Sequence, residues 1–91
     1  LKVGMSRYAL MLDETGVVID DGVIARLGQE HFYFTTTTSG AAQIYRELTR
    51  WNLIWQLDCS IVNLTGARSA INLAGPQARP VLAQLTDCDL S

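Results

Sequence analysis

Ninety-one residues carry seven basic and nine acidic side chains, a formal net charge of −2, with 48% hydrophobic and 18% charged residues. So apolar a chain with so little net charge is not an intrinsically disordered one, and its slight acidity excludes the broad basic face of a nucleic-acid binder. Its apolar runs fall far short of the ~20 residues needed to span a bilayer, and a lone histidine, His31, excludes a His-rich metal cluster within this chain.

The first third reads as strands. Tyr8, Leu10 and Leu12 alternate with Ala9 and Met11, the period of a short strand. Asp13-Glu14-Thr15-Gly16 interrupts it and Val17-Val18-Ile19 follows at once, which predicts a β-hairpin. Asp20-Asp21-Gly22 breaks the next apolar run before Val23-Ile24-Ala25-Arg26-Leu27 resumes it, and Gly28-Gln29-Glu30 turns into a third strand over residues 31–36. The period then changes: Ala41, Ile44, Tyr45, Leu48, Trp51 and Trp55 fall at helical spacing, with Thr38 or Ser39 available as the N-cap. Further strands are expected over residues 60–64 and 69–74, separated by a turn at Thr65-Gly66-Ala67. Gly75-Pro76 marks the start of a second helix running to about Leu85, whose first turn Pro80 should distort or delay. The expectation is an α+β fold, a mainly antiparallel sheet of about five strands with two helices in the order βββαββα. Cys59 and Cys88 read as buried thiols of a reducing, cytoplasmic compartment. The first residue is Leu1 and the first methionine Met5, so the chain reads as a piece of something longer.

Chemistry is most readily placed at Asp20-Asp21-Gly22. Alternation sends adjacent side chains to opposite faces of a strand, so one carboxylate must meet the packed side or a cleft unless a bulge re-aims it. A buried carboxylate needs donors or a polar ligand; the competing reading is a polar turn between two strands, or an Asp satisfied by nearby backbone. The threonines at 35–38 could line a polar pocket, or simply end a strand and cap a helix. Tyr8 reads as core or pocket wall with a hydroxyl that needs a partner. Trp51 and Trp55, four apart on one helix, read as packing, and Arg68 and Arg79 as solvated surface. Walker-type, dinucleotide, nucleophile and zinc motifs are missing from the chain, and residue chemistry alone does not reach a reaction.

Arg7-Tyr8-Ala9-Leu10-Met11 followed by Asp13-Glu14-Thr15-Gly16-Val17-Val18-Ile19-Asp20-Asp21-Gly22-Val23 resembles the folate-binding region of the glycine-cleavage T-protein (aminomethyltransferase) family. Leu73-Ala74-Gly75-Pro76-Gln77-Ala78-Arg79 looks like that family's Gly-Pro helix start. Tyr33-Phe34 with the threonine run and Ser39-Gly40-Ala41-Ala42 looks most like its branch in the C-terminal region of the α subunit of heterotetrameric sarcosine oxidase. The resemblance runs from Val3 to Leu85. It implies that residues 1–91 are a fragment of a folate-binding aminomethyltransferase-like domain, with tetrahydrofolate as cofactor and Asp21 as the carboxylate that hydrogen-bonds or accepts a proton from it. Tyr8 then contacts the folate. Thr37 is implied as a third folate-binding residue; it stands where T-proteins often place an Asn, a departure that favours the sarcosine oxidase branch. In that branch the methylene of oxidised sarcosine passes to tetrahydrofolate. Flavin and NAD would sit on other parts of the protein or on partner subunits, and the partners implied are a reduced folate, the other sarcosine oxidase subunits and the rest of the same chain. Alternatives are a true aminomethyltransferase and a non-catalytic interaction module in which both aspartates are exposed.

Overall fold

In a computed structural model, described over residues 1–90, three strands and two helices form along the chain: β1 (Ser6–Leu12), β2 (Val18–Arg26), β3 (Phe32–Phe34), α1 (Ala41–Trp55) and α2 (Ala78–Ala83). The strands make one antiparallel sheet in the order β1-β2-β3.

Each connection is fixed by side chains close in sequence. In the β1–β2 turn Asp13 Oδ1 accepts the Thr15 amide at 2.8 Å, the Thr15 hydroxyl at 2.7 Å and the Val17 amide at 3.0 Å. Gly16 closes that turn at φ 86°, a left-handed conformation that costs glycine little. In the β2–β3 turn Arg26 donates to the carbonyls of Gly28 and Gln29 at 3.2 and 2.6 Å, and to that of Leu1 at 2.9 Å. Its guanidinium lies over the Phe32 ring, 5.5 Å from the centroid. A planar fork suits this multiple anchoring, and a lysine would not reproduce it.

The ladder between β1 and β2 pairs Tyr8 with Val23, Leu10 with Asp21 and Met11 with Asp20, then shifts so that Leu12 pairs with Val18. Ile19 is the extra residue of a β-bulge. One face of the hairpin carries Tyr8, Leu10, Asp21 and Val23, and the other carries Ala9, Met11, Asp20, Gly22 and Ile24. Helix α1 begins beside the second face. Ile44, 3% exposed, is the one buried apolar side chain among the described residues, and Asp20, 5% exposed, the one buried polar one. The helix ends at Gln56, which takes up φ 50° and donates its amide to Leu53 and Asn52 carbonyls, a left-handed C-terminal stop.

Several expectations are corrected. The Asp20-Asp21-Gly22 segment does not divide the second strand: β2 runs unbroken through it. The third strand is shorter than residues 31–36, because past Phe34 the Thr35 hydroxyl replaces a carbonyl and accepts the Val23 amide at 3.0 Å. The sheet has three strands, and the strands expected over 60–64 and 69–74 do not form. Both segments have strand-like composition but meet no sheet edge, and an extended segment gains its stability from a paired neighbour; Val62 stays 71% and Ile71 90% exposed. Between them, Asn63 Oδ1 accepts the Thr65 amide and hydroxyl at 2.9 and 2.6 Å, which makes the turn that was expected. Helix α1 starts at Ala41 with Gly40 as N-cap and no side-chain cap bond, in place of Thr38 or Ser39. Helix α2 starts at Ala78, later than Pro76 suggests, and ends before Leu85. Pro80 then lies in the first turn, where its amide would have had no intrahelical partner. Cys59 and Cys88 are exposed free thiols, because the loops that carry them lie on the surface. No helix among the described residues is long and apolar enough to cross a membrane.

Candidate functional site

The two carboxylates at the middle of β2 are one residue apart and lie in opposite surroundings. Asp20 points to the α1 side. Its Oδ1 accepts the Asp21 amide at 2.8 Å and the Thr37 amide at 3.1 Å, and its Oδ2 accepts the Thr37 hydroxyl at 3.1 Å. Thr37 Oγ1 in turn accepts the Gly40 amide at 3.1 Å. One carboxylate therefore ties β2 to the β3–α1 connection and, through Thr37, to the start of α1. Desolvation pushes the Asp20 carboxyl upward, but the bonds donated by Asp21 and Thr37 outweigh it and hold the group below the usual carboxylate range.

The backbone approach that allows this depends on two glycines. A Cβ on Gly40 would lie 2.0 Å from Asp20 Oδ2 and 2.7 Å from Thr37 Oγ1. A Cβ on Gly22 would lie 1.9 Å from the Thr35 carbonyl oxygen. All three distances are far inside van der Waals contact, so a side chain at either place would force its neighbour to shift.

Asp21 is half-buried on the other face, where Oδ2 accepts the hydroxyl of Tyr8. The two lie diagonally across the β1–β2 ladder, within reach of a long aromatic side chain. The Tyr8 phenol is pushed above its ordinary value, first by its bond to Asp21, then by desolvation and by the negative charge of that carboxylate. Tyr8 is itself 67% exposed, and Leu10, Leu12 and Val23 beside it are exposed as well. The result is a carboxylate and a phenol at the edge of an apolar ledge. An apolar ledge with a carboxylate at its edge is an arrangement suited to a flat ring bearing N–H groups, and one Asp21 oxygen is already taken by Tyr8.

Of the residues singled out from the sequence, Tyr8 and Asp21 come together. Thr37 goes to Asp20, with its amide and hydroxyl both committed there. An Asp satisfied by nearby backbone is among the sequence's readings of this pair, and Asp20 is that residue; its link to the start of α1 was not foreseen. The usable signal was the Thr37-Thr38-Ser39-Gly40 run, which supplies hydroxyls and a residue without a Cβ. A shallow groove between the β1–β2 turn and α1, floored by Met11, Ile19, Ile44 and Leu48, includes neither Tyr8 nor Asp21. Among the described residues, no three His, Cys, Asp or Glu side chains gather where a metal ion could be held.

Comparison with known proteins adds a family. The family model of the GCVT N-terminal domain matches residues 1–91. The chain is 40% identical over 93 residues to the sarcosine oxidase subunit alpha of Rhizobium meliloti (strain 1021), covering 100% of this chain and 9% of that protein. It is 40% identical over 94 residues to the sarcosine oxidase subunit alpha of Corynebacterium sp. (strain P-1), covering 10% of it. It is 31% identical over 91 residues to an aminomethyltransferase of Listeria monocytogenes serotype 4a (strain HCC23), covering 24% of it. The chain thus spans about a tenth of the sarcosine oxidase subunits and about a quarter of the aminomethyltransferase that it matches. No solved structure matches it.

Proposed function

Because the chain belongs to the GCVT N-terminal domain family, we propose that it forms part of the tetrahydrofolate-binding region of a sarcosine oxidase alpha subunit, where the methylene of oxidised sarcosine is transferred to tetrahydrofolate. The observation that carries this reading is the Tyr8–Asp21 pair on an open apolar ledge. The donor set suits the ligand: a carboxylate for an N–H group and an exposed apolar surface for a fused ring.

When bound, tetrahydrofolate supplies two N–H nitrogens as acceptors of the one-carbon unit. Asp21 would hold tetrahydrofolate through one of these N–H groups and would take its proton, a task that suits a carboxylate within hydrogen-bond reach. Tyr8 holds the second Asp21 oxygen, so that the carboxylate does not rotate away. Thr37 lies on the α1 side, away from the ledge, with its amide and hydroxyl engaged by Asp20. The transfer balances: the imine carbon leaves the former sarcosine nitrogen, the two acceptor nitrogens each lose a proton, and both protons end on the released glycine amine. The oxidation that makes the imine belongs to flavin and NAD sites on the rest of the protein or its partner subunits.

The second reading, an aminomethyltransferase with a lipoyl carrier as donor, draws on the aminomethyltransferase relatives and keeps the same folate acceptor. The two separate by assay of the protein expressed in full. On the sarcosine oxidase reading, sarcosine is consumed, giving formaldehyde without tetrahydrofolate and methylenetetrahydrofolate with it. No sarcosine consumption, with transfer from an aminomethyl-lipoyl donor, would establish the second reading instead.

A further inference from the structure

Resting on that folate reading, we propose that Asp20 is a positioning residue for the transfer, one that sets the direction of the Asp21 carboxylate without touching the ligand. Asp20 faces away from Tyr8, and all three of its bonds go to Asp21 and Thr37. One of them holds the amide of Asp21 itself, at 2.8 Å. The orientation of that peptide unit fixes the direction in which the Asp21 side chain leaves the strand. The other two tie the same carboxylate to Thr37, which accepts the Gly40 amide at the start of α1. Gly40 leaves the carboxylate no spare room, since even a methyl group there would overlap Oδ2.

A buried, ionised carboxylate is an expensive way to join a strand to the loop that leads into a helix, and an apolar side chain often serves stability as well. What a fully satisfied buried network provides is a single geometry. A proton acceptor needs that, because small misplacements of a reacting group cost large factors in rate.

The test compares Asp20→Ala, Asp20→Asn and Thr37→Val with Asp21→Asn in the protein expressed in full. The readouts are tetrahydrofolate sites per molecule by calorimetry, KM for tetrahydrofolate, and methylenetetrahydrofolate formed per occupied site. Asp20→Ala should lower transfer per site at least about tenfold while KM changes less than about threefold. Asp20→Asn keeps a carbonyl oxygen for the two amides and should recover much of the loss. Thr37→Val keeps the amide bond to Asp20 but loses the hydroxyl's bonds to Asp20 and from the Gly40 amide, and should fall between. Should Asp20→Ala fail to fold, the other two variants decide. A loss of folate sites with unchanged transfer at those that remain would make Asp20 merely structural and overturn the proposal. A raised KM with unchanged kcat would make it a ligand contact and overturn it equally. Normal transfer by Asp21→Asn would sink the folate reading itself; a crippled Asp21→Asn beside unaffected Asp20 and Thr37 variants would sink this proposal alone.

Discussion

Asp20 and Asp21 differ in what surrounds them, and that difference orders the effects of replacing them. Asparagine at position 21 keeps the shape and the bond from Tyr8 but cannot take a proton, so methylene transfer should fall by about 10²–10⁴-fold, the usual contribution of a placed acid or base. Asparagine at position 20 still accepts two amides and should cost less; a larger loss from Asp20→Asn than from Asp21→Asn in steady-state assays would reverse the roles. The pH dependence of stability belongs to Asp20 and to Asp13, whose bonds from Thr15 and Val17 also hold it below the usual range. A carboxyl depressed by folding contributes stability that is complete above its unfolded value, about 3.9 for Asp, and that is lost as pH falls through the folded value. The melting temperature followed by circular dichroism should therefore hold steady down to about pH 4 and drop below it. Asp20→Asn should flatten that acid limb. Asp13→Asn should flatten it less, since exposed charges are screened. A limb that Asp20→Asn leaves unchanged would place the acid sensitivity elsewhere.

Which aspartate joins Tyr8 is decided by one β-bulge. Alternation in the sequence sends the two carboxylates to opposite faces, and that much was legible. Counting back from the Leu12–Val18 pair without a bulge would set Leu10 opposite Asp20, and Tyr8 would share a face with the wrong carboxylate. With Ile19 extruded, Leu10 pairs with Asp21 instead, and a one-residue slip exchanges the two faces completely. The hairpin, the main helix and the turn at Thr65 were legible because each is specified by residues close in sequence. The strands at 60–64 and 69–74 were misjudged because a strand depends on a neighbour that local composition does not describe. The glycines test the packing of these elements. Gly22→Ala puts a methyl group into the Thr35 carbonyl and Gly40→Ala puts one into Asp20 Oδ2. Each should cost about 1–3 kcal/mol or more, the usual penalty of overpacking. Gly66→Ala meets nothing within 4 Å and should stay within about ±0.5 kcal/mol, as surface changes do. Urea unfolding of the three variants checks this order, and a neutral Gly22→Ala would mean that β2 and β3 lie farther apart.

At the scale of the whole chain, 48% apolar content is not matched by apolar burial. The accessible surface is 7730 Å², whereas a compact folded protein of 10.0 kDa exposes about 5,200 Å². The radius of gyration is 15.7 Å, against about 12 Å for a compact chain of this length. Apolar side chains contribute to the excess surface: the ledge around Tyr8, the outer side of α1 at Leu53 and Trp55, and the unpaired segments at Val62 and Ile71 are all open. Exposed apolar surface on this scale marks faces that meet other protein. The ledge is open as well, so a folate ring resting on it would be enclosed on one side only. Pockets that hold a ligand of this size tightly bury most of its surface, and the walls for that are not built by these residues. Calorimetry of the isolated 91-residue chain with a reduced folate should therefore give no measurable heat of binding. The dye ANS should bind that same chain strongly, reporting the open apolar faces. Micromolar folate binding by the isolated chain would mean that it closes its own pocket, with the loop segments at 57–77 folding over Tyr8 and Asp21.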